Sequence, residues 1–197
     1  MQRRGFTIVE LVVVMTIMAI LLALGIFGVQ KSIVNARDSE RRSDVETIAR
    51  GLEERYKNGN QRAVYTGSDV LTKSGQYPGN VEMWHASGFD NANFSPRQIP
   101  GGYMTDLLSG TSGQSLTSPS GGSLDLSCIW ACNPLSTSDP AYITNYVQSN
   151  VMNNDKYVYV PSDANGNICC CSGCVRFELY YKNETNGTLM KVSSKNQ

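Results

Sequence analysis

Six cysteines offer the most chemistry in this chain, and all of them fall between residues 128 and 174. Cys128 and Cys132 stand in "CIWAC"; Cys169, Cys170, Cys171 and Cys174 stand in "CCCSGC". An even set of thiols reads as disulfides if the region is exported, and as a metal site if it stays in the cytosol. Zinc wants paired thiolates at close spacing, and Cys171–Cys174 is one C-x-x-C without a clean partner pair. Six cysteines allow fifteen pairings, so connectivity stays open. On a strand Cys169 and Cys171 would face one way and Cys170 the other. A link from Cys128 or Cys132 to the 169–174 cluster is therefore expected, tying a loop to the C-terminal strands. Such a closure typically stabilises by about 2–4 kcal/mol.

Two other constellations are weaker. Asp163, Asn165 and Asn167 alternate in "DANGN" and offer oxygens to a calcium ion. A calcium loop wants glycine sixth and glutamate twelfth; here Gly166 comes fourth and Cys174 twelfth. A polar turn is the better reading. His85 is the single histidine, so no Ser–His–Asp arrangement can be built, and no glycine-rich phosphate loop is present. These absences point away from an enzyme and call for no cofactor.

The remaining reactive group is Glu10, a lone carboxylate in an apolar run. From Phe6 to Val29 the only other polar residues are Thr7 and Thr16. At about 1.5 Å per residue, a helix of this length crosses a hydrocarbon core of about 30 Å. Arg3 and Arg4 precede it, and Lys31 and Arg37 follow. The basic pair before the span favours a cytoplasmic N-terminus. An ordinary signal peptide would have a shorter core and a small-residue cleavage site after it. A plain anchor would leave Glu10 unexplained, because a carboxylate is costly in hydrocarbon.

"RRGFTIVELVVVMTIMAILLAL" resembles the class III signal sequence of type IV pilins and type II secretion pseudopilins. The resemblance rests on a short basic leader, a glycine, Phe, Thr, and a glutamate four residues after the Phe. It implies cleavage by a prepilin peptidase between Gly5 and Phe6, and methylation of the new Phe6 amine. It also implies that Glu10 recruits the subunit to a filament and pairs with a neighbour's Phe6 amine. Physical chemistry supports such a pair. A buried ammonium and a buried carboxylate are each costly alone, and their attraction in a low dielectric disfavours subunits out of register.

The helix is expected to continue to about Asn58. Ile33, Val34, Val45, Ile48, Ala49, Leu52 and Tyr56 recur at mostly three- and four-residue gaps, with Arg41 in the gap after Val34. Opposite charges at i,i+4 (Asp38–Arg42, Glu46–Arg50, Glu53–Lys57) read as a solvated face, and Gly59 as the stop. Many pilins carry a proline where this chain has Phe27; here Gly25 and Gly28 flank that position. Glycine costs roughly 1 kcal/mol inside a helix, so residues 25–28 are the expected point of helix loosening on assembly.

After Gly59 the pattern becomes short and irregular. Residues 109–123 read as loop; 157–162 and 174–183 alternate with Val, Tyr and Phe and read as strands. Residues 183–187 read as a turn and 188–194 as a returning strand, with a short helix at 140–150. The expected fold class is α+β, a long N-terminal helix packed on a small antiparallel sheet. Its parts are a leader (1–5), a membrane or filament-core helix (6–29), an amphipathic helix half (30–58) and a head (59–197) with the cysteines. Asn93, Asn183 and Asn186 stand in Asn-x-Ser/Thr triplets, which Asn/Ser/Thr-rich loops generate by chance.

Formal net charge is +0, and beyond Asn58 eight basic residues face ten acidic ones, which gives no support to nucleic-acid binding. The resemblance implies a non-enzymatic filament subunit. Its partners would be copies of itself, the prepilin peptidase, an inner-membrane assembly platform and minor pilins. The precursor would sit in the cytoplasmic membrane with its head outside, and the product in an extracellular filament for adhesion or motility. A minor pilin and a secretion or competence pseudopilin are the nearer alternatives; a membrane-anchored extracellular binding or catalytic domain is the remoter one.

Overall fold

The computed structural model describes residues 7–58, 74–78, 108, 111–126, 140–169 and 173–195. Helix α1 (Ile8–Asn58) runs unbroken for 51 residues, about 76 Å at 1.5 Å per residue. It is followed by strand β1 (Leu124–Leu126), helix α2 (Pro140–Gln148), and strands β2 (Tyr157–Ser162), β3 (Arg176–Asn183) and β4 (Thr188–Ser193). The strand order is β1-β2-β3-β4. β2, β3 and β4 are antiparallel in sequence, with Tyr159 opposite Leu179 and Tyr181 opposite Met190. This is the expected α+β architecture, with one addition. The stretch read as loop, 109–123, is followed by β1, a strand not expected from the sequence, which pairs parallel to β2.

Alternation in β2 and β3 sorts side chains onto two faces. Tyr157, Tyr159, Phe177, Leu179 and Tyr181 meet Val45, Ile48, Ala49 and Leu52 of α1 in one cluster. Val158 and Val160 point the other way and join Val147 of α2 and Val151 in the turn that follows it, in a second. β2 is thus covered on both sides, which explains its run of five buried residues. The helix at 140–150 therefore closes the face of the sheet that α1 leaves open, and its last turn widens over Ser149–Asn153.

Two sequence expectations for α1 need correction. Ile33 is 48% exposed, because the head begins to cover the helix only beyond it. The charged face is not uniformly solvated. Arg42 pairs forward with Glu46 at 2.9 Å, while Asp38 and Glu53 hold groups of the head. The Gly59 stop lies outside the described residues. The terminal carbonyls of α1 are met from a distance in sequence, with Gly75 N–H donating to Tyr56 O at 2.7 Å and Ser74 Oγ to Lys57 O at 2.9 Å. Tyr77, fully buried beside Tyr56 and Phe177, then donates its hydroxyl to Glu53 at 3.0 Å.

One glycine is dictated by contact. A Cβ on Gly122 would stand 2.1 Å from the carbonyl oxygen of Asp155. Gly122 cannot easily retreat, because its O accepts Ser118 N–H at 2.7 Å and its N–H donates to Ser118 Oγ at 3.1 Å. Gly122→Ala should cost about 3 kcal/mol, the upper end of ordinary overpacking. Urea denaturation of the detergent-solubilised protein would show it as a lower midpoint with unchanged slope.

Candidate functional site

The site has two ends, a bare apolar helix and the joint that fixes it to the head. Every described side chain from Ile8 to Val29 is exposed, with Ile8 at 82% and Leu22 at 68%. α1 is the one helix among the described residues long and apolar enough to cross a membrane, and none of its apolar window is covered.

At its start, Thr7 N–H donates to Glu10 Oε2 at 2.9 Å and Thr7 Oγ1 to the same oxygen at 2.8 Å. Glu10 N–H donates back to Thr7 Oγ1 at 3.3 Å. This is a capping box, in which residues three apart satisfy each other's donors where the helix has none of its own. The signal Thr-x-x-Glu is present in the sequence and gives Glu10 a structural role beside that of a filament charge. The capping uses Oε2; Oε1 accepts no bond among the described residues. Gly5 and Phe6 lie outside those residues. Gly25 and Gly28 stand in continuous helix, and a Cβ at either would meet nothing within 4 Å.

The joint centres on Arg41, whose burial periodicity did not foresee. Its side chain is 1% exposed. One amino group reaches Asp38 at 3.2 Å and Glu184 at 3.0 Å; the other reaches Asp155 at 2.9 Å and Ser120 Oγ at 3.2 Å. Its Nε has no partner among the described residues. Arg37 grips both oxygens of Glu184. Asp38 accepts the N–H groups of Glu184 and Thr185 at 2.7 and 2.9 Å and the Thr185 hydroxyl at 2.5 Å. The tip of the β3–β4 hairpin is thereby clamped to α1. Asp155, at a φ of 50° that aspartate tolerates, also accepts Ser118 Oγ at 3.0 Å. A single guanidinium thus gathers α1, the 118–122 loop, the turn into β2 and the hairpin tip, using the fork of donors that lysine lacks.

The electrostatics follow. Burial alone would raise Asp155, Glu184 and Asp38. Arg41 with the two serines, Arg37 with Arg41, and the Thr185 and Glu184 donors outweigh it and hold all three below the usual carboxylate range. Asp44 goes the other way: burial raises it, although Tyr157 donates to it at 3.0 Å. A carboxylate depressed in the folded state contributes stability fully present above its unfolded value. That value is about 3.9 for Asp and 4.3 for Glu, and the contribution is lost as pH falls through the folded pKa. The melting temperature should therefore hold from pH 7 to about 5 and drop steeply below about 4. Asp44→Asn should lift the neutral end and leave the acid drop in place. A thermal scan across pH checks both.

The other candidate residues separate. Cys169 and Cys174 form a disulfide, with Cys174 fully buried in the main core. Cys128, Cys132, Cys170 and Cys171 lie outside the described residues, and so does the expected bridge between the clusters. With one pair joined, four cysteines allow three pairings. Asp163 spends its oxygens on its own loop, Oδ1 accepting Asn165 and Asn167 N–H at 2.8 and 2.9 Å and Oδ2 the Asn167 amide at 3.2 Å. Among the described residues no cluster of three or more His, Cys, Asp or Glu could hold a metal. Trp84 and His85 fall outside them.

Residues 1–26 match the prokaryotic N-terminal methylation motif. That motif, a class III signal, is typical of type IV pilins and pseudopilins. No curated protein and no solved structure matches the chain.

Proposed function

We propose that this type IV pilin-like chain is a structural subunit of a surface filament. It is cut after Gly5 by a prepilin peptidase, methylated on Phe6, and assembled through α1. The observation that carries the reading is the coincidence of the methylation motif with a bare apolar helix holding one carboxylate. Before assembly the bilayer covers that helix; in the filament, other copies of the same helix cover it. Glu10 Oε1 meets the Phe6 amine of a neighbour, and Gly25–Gly28 gives the helix a point to loosen. The Ser/Thr/Asn-rich, cysteine-bearing head suits a fibre exposed to the outside, for adhesion or motility. No catalytic role is assigned.

The test is the N-terminal residue of the mature protein, read by mass spectrometry on material sheared from cells. A methylated Phe6 is expected, and an intact Met1 in assembled material would overturn the reading. Imaging a deletion strain then separates the uses. Loss of all fibres marks a major pilin, loss of initiation a minor one, and intact fibres with failed secretion a pseudopilin.

A further inference from the structure

The tip of the β3–β4 hairpin carries two consecutive Asn-x-Thr triplets, Asn183–Thr185 and Asn186–Thr188, and the structure treats them differently. An Asn-x-Thr triplet accepts sugar only if the amide nitrogen is reachable and the hydroxyl is free to be read. In the first triplet the hydroxyl is engaged and the asparagine is only partly reachable. Asn183 is half-buried and its Oδ1 accepts Asn186 N–H at 2.9 Å. Thr185 Oγ1 contacts Asp38 at 2.5 Å and Asn35 at 3.3 Å. Freeing that hydroxyl would require the hairpin tip to leave α1.

The second triplet is open. Asn186, Gly187 and Thr188 are all exposed. The Asn186 side chain makes no hydrogen bond among the described residues, and the Thr188 hydroxyl has only a 3.9 Å contact with Met190 Sδ. Gly187, with φ at 61°, adds no side chain over the amide. The Asp38 and Arg37 clamps hold this tip on α1 while the triplet faces outward.

We infer that Asn186 is an N-glycosylation site, taking an oligosaccharide from a lipid-diphosphate donor after the head is exported. In the transfer the C1–O bond to the diphosphate breaks and the diphosphate leaves with the electron pair. The Asn186 Nδ2–C1 bond forms, and a base of the transferase takes the amide proton. The placement has a physical use. β4 is one of the two outer strands of the sheet among the described residues, and its Leu189 and Met190 are 39% and 40% exposed. An open strand edge with apolar side chains invites pairing with another edge, and a bulky solubilising group beside it prevents this.

The inference rests on the reading that the head is exported, and one digest separates the two. Trypsin cuts after Lys182 and Lys191, so a single peptide, 183–191, carries both triplets. Full-length protein from its own host's envelope is digested, and the peptide is fragmented with the sugar retained. The expected result is a hexose- or N-acetylhexosamine-containing mass on Asn186, lost in Asn186→Gln and Thr188→Ala and kept in Asn183→Gln. A bare peptide, or sugar on Asn183, in protein whose N-terminal peptide starts at Phe6 overturns the inference alone. A bare peptide in protein that still starts at Met1 overturns both.

Discussion

Arg41→Ala should destabilise the protein by about 3–5 kcal/mol, a large share of the roughly 5–15 kcal/mol that holds a domain folded. The magnitude follows from what the substitution leaves behind. Asp38, Asp155 and Glu184 all lie within 3.2 Å of the Arg41 guanidinium. Removing it leaves Asp155 without its cation partner among the described residues, while Glu184 keeps Arg37. Breaking one partner out of a buried ion cluster costs far more than the cluster itself contributes. Arg41→Lys should recover only part of the loss, because one ammonium cannot span the positions of two guanidinium amino groups. Arg41→Ala combined with Asp155→Asn should be milder than the sum of the singles, since the neutral amide has no charge to strand. Thermal and urea unfolding of the four proteins in detergent measure this. A loss below about 1 kcal/mol, the value of a surface pair, would show that the joint is solvated.

Glu10→Gln should leave the protein folded, processed and membrane-bound, yet reduce filament assembly at least tenfold. The capping box separates two roles of this residue. Glutamine serves at the third position of a capping box nearly as well as glutamate, so the Thr7 contacts survive. What is lost is the negative charge that would pair with a neighbour's amine in a water-poor core, where such attraction is strongest. Glu10→Ala removes cap and charge together. If assembly depends on the charge, Gln and Ala should fail alike; if the cap matters, Gln should assemble and Ala should not. Immunoblots of sheared filaments against the membrane fraction read both.

The long helix and the three antiparallel strands were legible because their signals are local. Strand β2 coincides with the alternating run at 157–162, and α1 extends through the whole apolar stripe to Tyr56 and on to Asn58. Arg41 was visible as a residue but not as a joint, because its partners lie up to 143 positions away. The same distance hid the capping of Tyr56 and Lys57 by residues 74–75 and the cover that α2 gives to β2. Asp38 and Glu53 were misread as solvated for a related reason. An i,i+4 rule describes an isolated helix, and here backbone donors of the head outcompete the neighbouring side chains.

By itself the sequence determined the apolar helix, its lone carboxylate, the motif around Gly5 and Phe6, and the three antiparallel strands, all of which depend on residues within a few turns of one another. Only the tertiary structure decided which charges are buried, which glycine admits no side chain, which cysteines are joined and which Asn-x-Thr triplet is open. Each of those is set by groups that the chain brings together only once the helix, the loop and the hairpin have packed.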